Sequence, residues 1–180
     1  MESSSAGSSA NEKSIDLQID ELIKARPGAD VIQTAALDKA VKINDFIFMS
    51  QGSSNAYMVA TDEGRVIINT GMGFEAINHK RLFDAECDAP TKFIVATQGH
   101  VDHVGGVARF REKGSHFIAH ANNQICQLDD ARIAKRRTAM SDIWFGHIIK
   151  DAIKLAKDFP EAFVQDTPIP DISFHCDYSF

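Results

Sequence analysis

The segment TQGHVDHVGG, Thr97 to Gly106, sets two histidines and an aspartate within four positions: His100, Asp102 and His103. Imidazole and carboxylate are donors suited to zinc or iron, and a hydrolytic metal site keeps one position open for water. A metal in such a site brings the pKa of its bound water towards about 7, so hydroxide is at hand at neutral pH. On an irregular loop the three side chains diverge enough to serve one ion or two adjacent ones. The competing reading is a turn whose polar groups bond only to backbone and solvent. Context favours chemistry: the apolar run KFIVA leads into the cluster and Gly105-Gly106 leads out, so a buried strand delivers the residues and a helix carries the chain away.

The elements around the cluster follow from pattern. VKINDFIFMS, Val41 to Ser50, is rich in β formers. AYMVAT (Ala56 to Thr61) and RVIIN (Arg65 to Asn69) flank the turn signal Asp62-Glu63-Gly64 and read as a hairpin. From Phe74 to about Cys87 the spacing is helical, with Phe74, Ile77, Leu82 and Phe83 near one face; His79, beside Lys80 and Arg81, is expected on the solvated side. Lys92 to Thr97 is a strand, Val104 to Lys113 a helix stopped by Gly114, and His116 to Ala119 another strand. Asn122 to Phe163 is helical in composition, broken at Phe159-Pro160; Thr167-Pro168-Ile169-Pro170 is a stiff connector, and DISFHCDYSF opens one more strand. Hairpin, helix, strand, loop, helix, strand predicts a mixed α/β sandwich with the cluster at the C-terminal end of a strand, where open α/β sheets build their sites.

The 180 residues suffice for a domain with a real core, and the near-average composition excludes wholesale disorder. A net charge of −6 argues against a nucleic-acid partner; the run Lys135-Arg136-Arg137 reads as a solvated helix face. Three cysteines, Cys87, Cys126 and Cys176, form no CxxC pair, which argues against a disulfide framework and for a reducing, cytoplasmic compartment. No apolar run is long enough to span a membrane. Residues 1–13, rich in Ser, Gly and Ala, read as a disordered leader, followed by a short amphipathic helix within IDLQIDELIKA and a domain over 14–180. His116 and His120 share a strand face and read as a rim pair, while His147 reads as a core-edge residue. Trp144, Phe145, Ile148 and Ile149 read first as cover for the sandwich and second as a surface for an apolar substrate.

The cluster and its Gly-Gly close resemble the signature loop of the metallo-β-lactamase-fold superfamily, His-x-His-x-Asp-His. Ser54 to Val59 and then Val66-Ile67-Ile68-Asn69-Thr70-Gly71 resemble that family's paired strands ending in Asp-Thr-Gly, so the likeness runs from Val41 to Ala119. Within the superfamily, HVDHVGGV and the long helical segment are most similar to alkylsulfatase-like members. The resemblance implies an αββα sandwich, of which this chain carries the N-terminal half plus a helical insertion. It implies that His100 binds a first metal, that Asp102 and His103 bind a second, and that Asp102 also orients the attacking water. Gln98 stands where the family has its first histidine, and its amide is the weaker donor, which favours one zinc, or another divalent ion, at Asp102 and His103. Asn69 stands in place of a supporting aspartate and removes a negative charge near the metals. The family's remaining ligands come from a second half that would follow Phe180.

The expected function is hydrolysis of an ester, amide or sulfate ester by metal-activated water, on a small-molecule substrate. The alternative is a truncated or degenerate homologue acting as a non-catalytic interaction module. A second copy of the chain, or a completing C-terminal half, is the expected macromolecular partner, because half a sandwich leaves an apolar face and strand edges uncovered.

Overall fold

The computed structural model describes residues 20, 21, 24, 38–159 and 164–180. The leader falls outside them, as does most of the first expected helix, of which Asp20, Glu21 and Lys24 are helical and exposed. Contacts divide the chain into two units, Met1–Val31 and Ile32–Phe180. Everything below concerns the second.

Seven strands form one sheet in chain order. They are β1 (Val41–Lys42), β2 (Ile47–Ser50), β3 (Ala56–Thr61), β4 (Gly64–Ile68), β5 (Thr91–Ala96), β6 (His116–His120) and β7 (Ile172–Phe174). The first four are antiparallel neighbours and the last four are parallel. The run from Val41 to Ser50, expected as one strand, is two. Asn44 Oδ1 accepts the N–H groups of Phe46 at 3.0 Å and Ile47 at 2.7 Å and folds the run into a turn.

Parallel neighbours need crossovers, and helices supply them. These are α1 (Gly73–Glu86), the single turns α2 (Val101–Val104) and α3 (Val107–Phe110), and α4 (Asn123–Asp158). The helix expected over Val104 to Lys113 is therefore two pieces. Its first turn begins three residues early, inside the cluster, and Gly105 and Gly106 separate the pieces. Gly106 must lack a side chain, since a Cβ there would lie 2.2 Å from Ala76 Cβ and 2.7 Å from the Thr70 carbonyl oxygen. A single non-helical residue, Phe145 (φ −129°, ψ 18°), kinks α4, next to Gly146.

The core lies between the sheet and α1 with α3. Met58, Ile67, Ile94 and Phe117 point from alternate strand positions onto Ala76, Phe83, Val107 and Phe110, all of them buried. The buried face of α1 is rotated from the expected one: Ala76, His79, Leu82 and Phe83 face inward, while Phe74 and Ile77 are half-buried. His79 is therefore not solvated. It is fully buried, because Gly52 and Gly71 leave room for its ring.

At the end of the sheet where β5 begins, Arg65, with its side chain 4% exposed, reaches Asp84 Oδ1 at 2.6 Å and Glu112 Oε1 at 3.2 Å. It also donates to the Cys87 carbonyl oxygen at 2.9 Å. Glu112 in turn accepts the Thr91 N–H at 3.1 Å. One buried guanidinium thus joins β4, α1, the start of β5 and the exit of α3.

Candidate functional site

β5 ends at Ala96, and residues 97–106 emerge at its C-terminal edge. The turn after β4 holds this segment at two points. Asn69 adopts φ 58°, a left-handed conformation that asparagine tolerates. From there its Oδ1 accepts the Thr97 N–H at 3.0 Å and the Thr97 hydroxyl at 3.1 Å. Thr70 donates both its N–H and its hydroxyl to the His103 carbonyl oxygen, each at 2.9 Å, and its Oγ1 accepts the Gly106 N–H at 3.1 Å. An aspartate at position 69 would accept the same two bonds from Thr97, so the neutral amide preserves the loop while removing a charge.

Three more residues grip the segment. Asp130 of α4, 5% exposed, accepts the Val101 N–H on Oδ2 at 3.2 Å and Arg137 Nη2 on Oδ1 at 2.7 Å. Gln165 donates to the Val101 carbonyl oxygen at 2.9 Å and accepts the Gly73 N–H at 2.9 Å. Asp166 donates its N–H to the Gly105 carbonyl oxygen and accepts the Ala108 N–H, each at 2.9 Å. Behind the loop before β3, buried Glu75 accepts the Ser53 N–H at 2.7 Å and the Ser53 hydroxyl at 2.6 Å. None of these anchors belongs to the histidine cluster. The sequence expectations did not include them; the signals available were Glu75, a carboxylate three residues into α1, and Asp130, one in the second turn of α4.

The four residues singled out from the sequence divide into two groups. Asp102, His103 and Gln98 come together: His103 Nε2 lies 3.4 Å from Asp102 Oδ2 and 2.5 Å from Gln98 Nε2. Ser54 Oγ stands 3.4 Å from the same ring. His100 caps α2 through its backbone, accepting the His103 N–H at 2.9 Å, and its side chain faces a cleft of about 440 Å³ together with Ser53 and Asp102. Burial raises the pKa of Asp102, but the hydrogen bond and charge of His103, a backbone bond and the charge of His100 outweigh it. The carboxyl is held below its ordinary range. It is an anion at neutral pH.

Among the described residues, no three of His, Cys, Asp and Glu converge closely enough to hold a metal ion. Asp102 and His103 are two adjacent donors, and Gln98 is hydrogen-bonded to the His103 Nε2. The donor set in this geometry falls short of the three protein ligands of an open catalytic zinc site. Elsewhere, His120 accepts the Asn122 N–H at 3.1 Å and bonds the His175 carbonyl oxygen at 3.0 Å; it belongs to the rim, as expected. Cys87, Cys126 and Cys176 are free thiols. Among the described residues no helix is long and apolar enough to cross a membrane.

The model of one family, described as the metallo-beta-lactamase superfamily, matches residues 49–170, from β2 through the connector that carries Gln165. This chain belongs to the metallo-beta-lactamase superfamily. Its mixed α/β fold is the one expected from the sequence. Solved structures similar to this superfamily member include a metallo-beta-lactamase from Cronobacter sakazakii, with 21% identity and a TM-score of 0.46 over 51% of this chain and 37% of that one. The stereoselective inverting sec-alkylsulfatase from Pseudomonas sp. gives 18% identity and a TM-score of 0.45 over 48% of this chain and 15% of that one. The chain therefore spans well under half the length of either. No curated protein matches it.

Proposed function

We propose that this superfamily member is a hydrolase acting on an ester, amide or sulfate ester, with Asp102 and His103 at the reacting centre and His100 and Gln98 beside it. The observation that carries the reading is the position of the Asp102 carboxylate. It is ionised, it touches His103, and it opens onto a cleft large enough for a small molecule. A divalent cation such as zinc would supply activated water and stabilise developing negative charge, and holding one or two such ions would take donors beyond Asp102 and His103. What the chain itself contributes is a frame. Asn69 and Thr70 fix the backbone beneath His103, Glu75 fixes Ser53 at the cleft, and Asp102 accepts a proton-bearing partner at its exposed side.

A second reading is a non-catalytic homologue, in which Gln98 and His103 satisfy each other and no metal is held. The bond between those two residues and the lack of a three-donor group among the described residues favour it. One measurement separates the readings: metal content of the purified protein beside His103→Ala, with turnover of a generic ester before and after a chelator. The hydrolase reading expects stoichiometric metal that the variant loses and turnover that the chelator abolishes. Absence of stoichiometric metal from both proteins, together with absence of turnover, would establish the second reading.

A further inference from the structure

The cleft that meets His100 and Asp102 also takes polar side chains from Ser53, Arg137 and Ser141, and the rest of its lining is apolar. Its wall is Met72, Phe74, Val101, Met140, Phe145 and Ile148. Met140 and Phe145 are 43% and 40% exposed, so core packing does not account for them. The kink in α4 falls at Phe145, one of the residues that line the cleft. Two methionines give the wall a conformable surface, which suits a chain of variable length better than a rigid ring system. Arg137 lies at the rim, and its bond to buried Asp130 fixes where its charge sits. The geometry points to an amphiphile: an ester of a straight aliphatic acid, its chain along the Met140–Phe145 wall and its ester carboxyl between Arg137 and the His100–Asp102 end.

This substrate class rests on the hydrolase reading for the fate of the head group, whereas the fit of the chain stands on the cleft alone. Hydrolysis adds water across the acyl C–O bond and releases a carboxylate and an alcohol. Those two products are therefore the probes. Calorimetric titration of the purified protein with butanoate, hexanoate, octanoate and decanoate is expected to show affinity rising roughly fourfold per methylene until the cleft is full. Phe145→Ser, at a half-exposed position, flattens that slope. Arg137→Met weakens octanoate and leaves octanol unchanged. A flat series, or a slope untouched by Phe145→Ser, overturns the aliphatic assignment; equal loss of octanoate and octanol in Arg137→Met overturns the placement of the head group. Ester turnover measured on the same protein keeps the two ideas apart. Chain-dependent binding without turnover removes the hydrolase reading and leaves the cleft, and turnover with a flat series does the reverse.

Discussion

His79 is the residue whose surroundings differ most from its neighbours in sequence. Lys80 and Arg81 follow it, yet its ring lies inside, Nδ1 2.6 Å from Ser50 Oγ and Nε2 without a partner. Burial lowers its pKa from 6.5 to about 4. Below pH 6.5 the unfolded chain takes up a proton that the folded one refuses. Stability is therefore fully present above that value and is lost as pH falls towards about 4, by on the order of 3 kcal/mol in all. Urea unfolding at pH 7 and pH 5 should show more than half of this loss, and His79→Leu, though less stable at neutral pH, should show a flatter profile. No local pattern revealed this burial, because the space for the ring comes from Gly52 and Gly71, which are distant in sequence or separated by a turn. A Cβ on Gly71, which has φ 72°, would meet the imidazole at 2.5 Å. Asn69 was legible as a departure but not as a support. Asn69→Ala removes the single acceptor of both Thr97 bonds and leaves alanine in a left-handed conformation, a cost of about 2–3 kcal/mol. Asn69→Asp keeps the bonds and should stay within about 1 kcal/mol of wild type in the same unfolding assay.

The strands were readable because alternation and turn residues are local signals, and β3, β4, β5, β6 and β7 fall where those signals put them. The one strand that split carried its own warning in Asn44-Asp45, which the β-rich letters around it outweighed. The helix after the cluster was misread because Val104, Val107 and Phe110 keep helical spacing across two glycines that end one turn and start the next. Also illegible was the Arg65 knot, whose partners are 19 and 47 positions away. Breaking it leaves Glu112 without its cation and the Cys87 carbonyl without its donor, while Asp84 keeps Lys80, so Arg65→Met should destabilise the protein by about 1–3 kcal/mol, read from the shift of a chemical-denaturation midpoint. The companion variant Arg65→Met with Asp84→Asn and Glu112→Gln should recover part of that loss, since no unpaired carboxylate remains.

Across the whole sheet the two faces differ. Strand register places Met49, Tyr57, Ile68 and Val95 in one row and Ile47, Val59, Val66 and Phe93 in the next, all on the side away from α1. These apolar residues are half-buried, whereas their alternates Met58, Ile67 and Ile94 are fully enclosed. A continuous apolar surface of this kind favours association. The 180-residue chain alone should self-associate at micromolar concentration in sedimentation velocity. Val59→Lys should shift it towards monomer while costing less than about 1 kcal/mol of fold stability. A concentration-independent monomer in wild type would mean that the face is covered by other means.

The bend that presents Asp102 and His103 is tied down by Asn69, Thr70, Asp130, Gln165 and Asp166, and by none of the groups that would do chemistry. Scaffold and cargo are thus separable inheritances. A lineage could exchange the imidazoles at 100 and 103 or the amide at 98 without dismantling the architecture, and a protein engineer could install a new donor trio on the same ledge and judge it by its chemistry alone.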